Sequence, residues 1–162
     1  MKSSARSRRV VVSADGRGLV SQAGAVLLWE TLRVTGLGRG LSAGLERWRA
    51  PRAVHDPGAI VADLAMAVAV GGDCLADIAV LHEQPALPGP VASDPVVSRL
   101  VRSLAGDGPG ALAAIRAARA AARERAWALA GDAAPGAGGG LVTVDLDATI
   151  VIAHSPALAT RS

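Results

Sequence analysis

The stretch DPGAIVADLAMAVAVGG, residues 56–72, sets the reading of the whole chain. Asp56 is a side chain that caps helix N-termini, and Pro57 stands at the first helical position, where its missing N–H costs nothing. An apolar run from Ala59 to Val70 comes next, interrupted only by Asp63, and Gly71-Gly72 stops it. The spacing predicts a helix over 57–70. At twelve residues the apolar run is well short of the ~20 that a membrane span needs.

The same grammar recurs on the C-terminal side. Asp73 predicts a cap for a shorter helix ending near Glu83, ahead of Pro85. After the proline-rich turn Pro85 to Pro90, Ser93-Asp94-Pro95 opens a helix that ends at Gly106. A fourth helix runs from near Pro109 to Ala130, rich in alanine, with Leu112, Ile115, Ala122, Ala126 and Leu129 as its expected apolar face. On the N-terminal side, Leu19, Ala23, Val26, Leu27 and Trp29 fit a helix over 19–32. Gly36, Gly38 and Gly40 then break the pattern, and Ser42 caps a short helix to Arg49 before Pro51.

Composition limits what such helices can bury. Hydrophobic residues make up 51% of 162, yet Phe and Tyr are absent, so the core rests on Leu, Val and Ala, which bury less area than rings. Lys2 is the only lysine, so all but one of the 17 basic residues are arginine. The net charge of +3 permits a nucleic-acid partner. Cys74, the only cysteine, excludes an internal disulfide and a cysteine-based zinc site, and is expected in a helix core. The apolar run Val10 to Val12 is too short for a signal-peptide core. A cytoplasmic protein with no membrane partner is expected.

Residues 131–140, GDAAPGAGGG, read as a flexible linker. The segment beyond the linker differs in kind. Leu141-Val142-Thr143-Val144-Asp145-Leu146-Asp147 is the only strong strand candidate, and its alternation puts Thr143, Asp145 and Asp147 on one face. Two carboxylates at the end of an apolar strand suit a hard divalent cation such as Mg²⁺. Arginines supply the other candidate chemistry. Arg99 and Arg102 stand three apart after Ser93, and Arg116, Arg119 and Arg123 form an i, i+3, i+7 stripe that can follow phosphates.

Two families share the acidic pattern. Asp145-Leu146-Asp147-Ala148-Thr149 resembles the opening motif of haloacid-dehalogenase-like phosphohydrolases, which implies an Asp145 nucleophile with Asp147 as general acid/base. That motif opens its domain, and the downstream lysine and acidic motif such enzymes need are not here. A second resemblance covers more of the chain, from about Asp15 to Ser155. Four segments carry it: Gly24 to Leu28; Leu64 to Leu81, with Gly71-Gly72-Asp73-Cys74-Leu75-Ala76-Asp77 inside; Ser93 to Leu100; and Val144 to Ser155, VDLDATIVIAHS. In this order they resemble the N-terminal part of DDE insertion-sequence transposases.

That resemblance implies DNA transposition by metal-dependent phosphoryl transfer, with Mg²⁺ or Mn²⁺ held by three acids on a ribonuclease-H-like sheet. Asp147 matches the first acid through Asp147-Ala148-Thr149, with Asp145 beside it on the same face. The expected fold is mainly α: a basic tail (1–18), a helical DNA-binding region (19–130) with a helix-turn-helix-like unit at about 57–105, the linker (131–140), and at 141–162 the truncated start of an α/β catalytic domain, entered by its first strand. The second and third acids are not in these residues, so the chain is expected not to catalyse alone or to hold the metal stably. The expected partners are double-stranded DNA at insertion-sequence ends and a full-length transposase. A small helical DNA-binding regulator is the other reading.

Overall fold

A computed structural model of the protein describes residues 24–82, 90–139 and 141–145. The described part is mainly helical. In chain order, α1 spans Ala25–Thr35, α2 Leu37–Leu45, α3 Pro57–Ala69, α4 Ala79–His82, α5 Asp94–Ala105 and α6 Gly108–Ala130. Short 3₁₀ turns stand at Glu46–Trp48, Leu75–Ile78, Gly131–Ala133 and Ala137–Gly139. The expected basic tail, the start of the first helix at 19–23, the turn residues 83–89 and residues 146–162 lie outside the described residues.

Asp56 caps α3 as expected. Asp56 Oδ1 accepts from the Ala59 amide at 2.8 Å and also from Ser42 Oγ at 2.8 Å, so one oxygen caps α3 and ties it to α2. Ser93 occupies the N-cap of α5 without a side-chain hydrogen bond, and Asp107 caps α6 by accepting from the Gly110 amide. Only Gly106 and Asp107 separate α5 from α6.

Four expectations are corrected. The glycines at 36–40 do not break the chain into a loop. Gly36 takes a left-handed conformation (φ 74°) that ends α1, and α2 begins at the next residue and runs through Gly38, Gly40 and Gly44. Ser42 therefore lies inside a helix rather than capping one. The residues after Asp73 form a 3₁₀ turn and a single helical turn, capped at Cys74 rather than Asp73. Cys74 is exposed there, not in a helix core.

Two of the three glycines in α2 bring it close to α6. A Cβ on Gly40 would sit 3.3 Å from the Ala118 Cβ, and one on Gly44 would sit 3.5 Å from the Ala114 Cβ. The two pairings run in opposite directions along their helices, so α2 and α6 pack antiparallel with small residues facing small residues. Gly58 does the same for α3: a Cβ there would overlap the Ser42 nitrogen and the Leu41 carbonyl carbon. The propensity cost of glycine, about 1 kcal/mol each, is offset by contacts that larger residues would forbid.

The main cluster joins Ala25, Ile60, Met66, Ile78, Val97 and Leu100, with Trp29 and Trp48 partly buried against it. A smaller one joins Leu41, Ala62 and Ala118. The buried stripe of α6 is thus Ala111, Ala118 and Ala122 with Ile115 half-buried, whereas Leu112 and Leu129, expected inside, are exposed. The close approach of α2 admits alanine where leucine would not fit. In α1 the inward residues are Ala25, Trp29 and Leu32, and Leu27 is 69% exposed.

Residues 141–145 carry no strand and are exposed throughout, with Leu141 at 95%. A β-rich segment forms a strand only when another backbone pairs with it, and none does among the described residues.

Candidate nucleic-acid interface

Helix α6 displays the arginine stripe. Arg116, Arg119 and Arg123 are all exposed, and none has an ion-pair partner among the described residues. Their separations of three and four put them on one side of the helix. Arg123 lies 5.7 Å over the Trp127 ring, which holds the guanidinium near the helix surface. Arg125, two residues beyond Arg123, is used differently: its Nε donates to the Val34 carbonyl at 2.8 Å and fastens α6 to the end of α1.

Arg99 and Arg102 project from α5, and both are exposed. Arg99 borders a concavity of about 550 Å³ together with Trp48, Arg52, His55, Ile60 and Ser103. Arg102 does not line it. Sequence reasoning missed Arg52 and the pocket it helps to form. The signal was local: Pro51-Arg52 sits in a turn closed by the Ala53 N–H to Ala50 carbonyl bond at 3.0 Å, and Arg52 has φ 68°. Proline second and a positive φ third describe a type II turn, where glycine is the expected residue.

A second concavity, about 760 Å³, lies between α1, α2 and α3 and is bordered by Trp29, Arg33, Arg39, Ser42, Glu46 and Asp63. Asp63 is 6% exposed and receives no hydrogen bond among the described residues. Burial alone raises its carboxyl to about 7. The Trp29 indole Nε1, also buried, has no hydrogen-bond partner there. Arg33 is engaged by Glu30, which holds the glutamate carboxyl low and the guanidinium high. Asp63 was visible in the sequence as the one charge in an apolar run; its burial was not.

The acidic candidates divide. Asp145 is exposed, and no described carboxylate stands with it in a metal-sized group. Asp147 lies outside the described residues. Among those described, Asp73, Cys74 and Asp77 do bring ligand atoms within 4.8 Å of one another. There, however, the Asp77 carboxylate accepts from the Asp73 and Cys74 amides at 2.8 and 2.9 Å, which lowers its pKa and accounts for it as a cap. A thiol is also a poor ligand for Mg²⁺. No donor set among the described residues fits a two-metal centre.

Among the described residues the architecture is mainly helical, with exposed arginines on two helices that have no ion-pair partner there. The family model described as transposase DDE domain, group 1, matches residues 2–160, and the chain belongs to that family. The match favours the transposase over the phosphohydrolase reading of the acidic motif. DDE transposases act on DNA and generally use divalent metal ions. No curated protein and no solved structure matches the chain. No helix among the described residues is long and apolar enough to cross a membrane.

Proposed function

We propose that the helical region, residues 19–130, is the part of a DDE transposase that grips duplex DNA, and that 141–162 begins its catalytic domain. The observation that carries the first half is the stripe of Arg116, Arg119 and Arg123, exposed on one face of α6 without acidic partners among the described residues. Guanidinium groups so placed bind phosphates without reading sequence, because each charge displaces counterions from the duplex. Arg99 and Arg102 on α5 extend the contact. The unit α3, α4 and α5 is the helix-turn-helix-like element, and the ends of the insertion sequence are the DNA it meets. The glycine-rich stretch 131–140 links the two parts.

The second half rests on family membership and on the acidic motif. Asp147 is the first metal ligand of the ribonuclease-H-like sheet and Asp145 its neighbour, on the strand that the run from Leu141 is composed to form. A two-metal site of this family takes its second and third acids from elsewhere in the sheet. No donor set among the described residues fits such a site, so we assign them DNA binding without cutting, and pairing with a full-length transposase would make them an inhibitor.

Replacing Arg116, Arg119 and Arg123 together by glutamine is expected to flatten the salt dependence of duplex binding by about 2–3 units of slope. An unchanged slope would remove α6 from the interface. Mg²⁺- or Mn²⁺-dependent nicking by the purified chain, abolished in Asp147→Ala, would contradict the claim that it binds without cutting.

A further inference from the structure

The concavity bordered by Arg52 and Arg99 has a composition that the arginine stripe lacks. Its walls are apolar, from Ile60, Val96 and Leu100, with Trp48 at one side, while Arg52, His55, Arg99 and Ser103 supply polar groups. No carboxylate lines it, and neither arginine has an ion-pair partner among the described residues. At about 550 Å³ it falls within the size range of small-molecule sites. Arg52 is also kept at φ 68°, where glycine would relieve the backbone. Strain of this kind collects at functional positions, and here it aims a guanidinium at the pocket rim.

From these features we infer that the pocket binds a single nucleotide unit, its phosphate between Arg52 and Arg99 and its flat base against the apolar wall. The forked guanidinium matches phosphate oxygens in two-point contact, which a point charge cannot do. His55, half-buried at the same rim, adds a donor. Ser103 supplies a hydroxyl that donates or accepts, as the polar edge of a base requires. The nucleotide is either free or an unpaired one at a DNA strand end; the second source rests on the DNA-binding reading above.

The decisive variant is Arg52→Gly. It deletes one guanidinium and relaxes the left-handed residue, so the melting temperature is expected to hold or rise while binding falls. Arg99→Gln removes the other guanidinium from an exposed helix position. The full chain is titrated with blunt duplex, with the same duplex carrying a 5′-phosphorylated three-nucleotide overhang, and with dAMP. The overhang is expected to tighten binding about tenfold, the effect of one charged hydrogen bond, and both variants should erase that advantage. Equal binding of overhang and blunt duplex, with no dAMP binding, overturns the inference. If neither duplex binds but dAMP does, and Arg52→Gly abolishes it, the pocket stands with a free nucleotide and only the DNA-binding reading falls.

Discussion

Two concavities flank α3, and they handle charge in opposite ways. The one against α1 and α2 hides a carboxyl, Asp63, at 6% exposure with no hydrogen bond among the described residues. The one against α5 keeps two arginines at its rim, exposed and without ion-pair partners among the described residues. A buried charge without a partner is a cost borne by the fold, whereas a rim charge over apolar walls costs the fold little and remains available to a ligand. The difference teaches where to look for each effect: stability and its pH dependence on one side of α3, binding on the other.

The sharpest way to break the comparison is to separate α2 from α3, since their contact underlies the first concavity and anchors the second. Gly58→Ala drives a methyl into the α2 backbone at Ser42. It should cost roughly 3 kcal/mol or more, as overpacking against backbone does, and abolish the cooperative thermal transition. A variant melting within a few degrees of the parent would show that the seam is looser than described.

Next comes Asp63. Its folded-state pKa, about 7, lies above that of an unfolded aspartate. The folded chain therefore holds a proton that the unfolded chain releases. Stability is full below the unfolded pKa, declines as pH rises from about 4, and levels off above the folded value of about 7. The loss has a ceiling on the order of 4 kcal/mol. Urea melts at pH 5 and pH 8 should show that decline, and Asp63→Asn should remove it and be the more stable protein at pH 8. A pH-independent parent would mean that Asp63 is solvated or paired.

Two smaller effects concern the ties between helices. Asp56→Ala removes an oxygen shared by the α3 cap and Ser42, and should cost about 1–2 kcal/mol. Arg125→Met keeps the aliphatic stem and loses the bond to the Val34 carbonyl, for about 1 kcal/mol, without altering DNA binding if the stripe excludes Arg125.

Much of the helical body was legible because its punctuation is chemical. Asp56-Pro57 and Ser93-Asp94-Pro95 state where helices begin, and the glycines at 71–72 and 106 state where they end. The first half of helix α2 was not legible. Its glycines argue for a loop on propensity alone, and only the alanines of α6, some seventy residues away, make Gly40 and Gly44 assets. The same close packing shifts the expected face of α6, keeping Ile115 and Ala122 but putting Ala118 inside and Leu112 outside. Cys74 was misread because a lone cysteine is usually buried, whereas here its backbone begins a turn. Of the site, the arginines on α5 and α6 could be read from spacing. The pocket could not, because its walls come from two stretches, Trp48 to Ile60 and Val96 to Ser103, that only folding brings together.

The most direct test of the account is duplex-DNA binding by the purified chain across a salt series, once circular dichroism has confirmed helix. Three to five arginine–phosphate contacts predict that log K falls against log salt with a slope of about −3 to −4.5. A folded chain that does not bind, or binds with a slope near zero, would contradict it and leave the arginines as solvated surface.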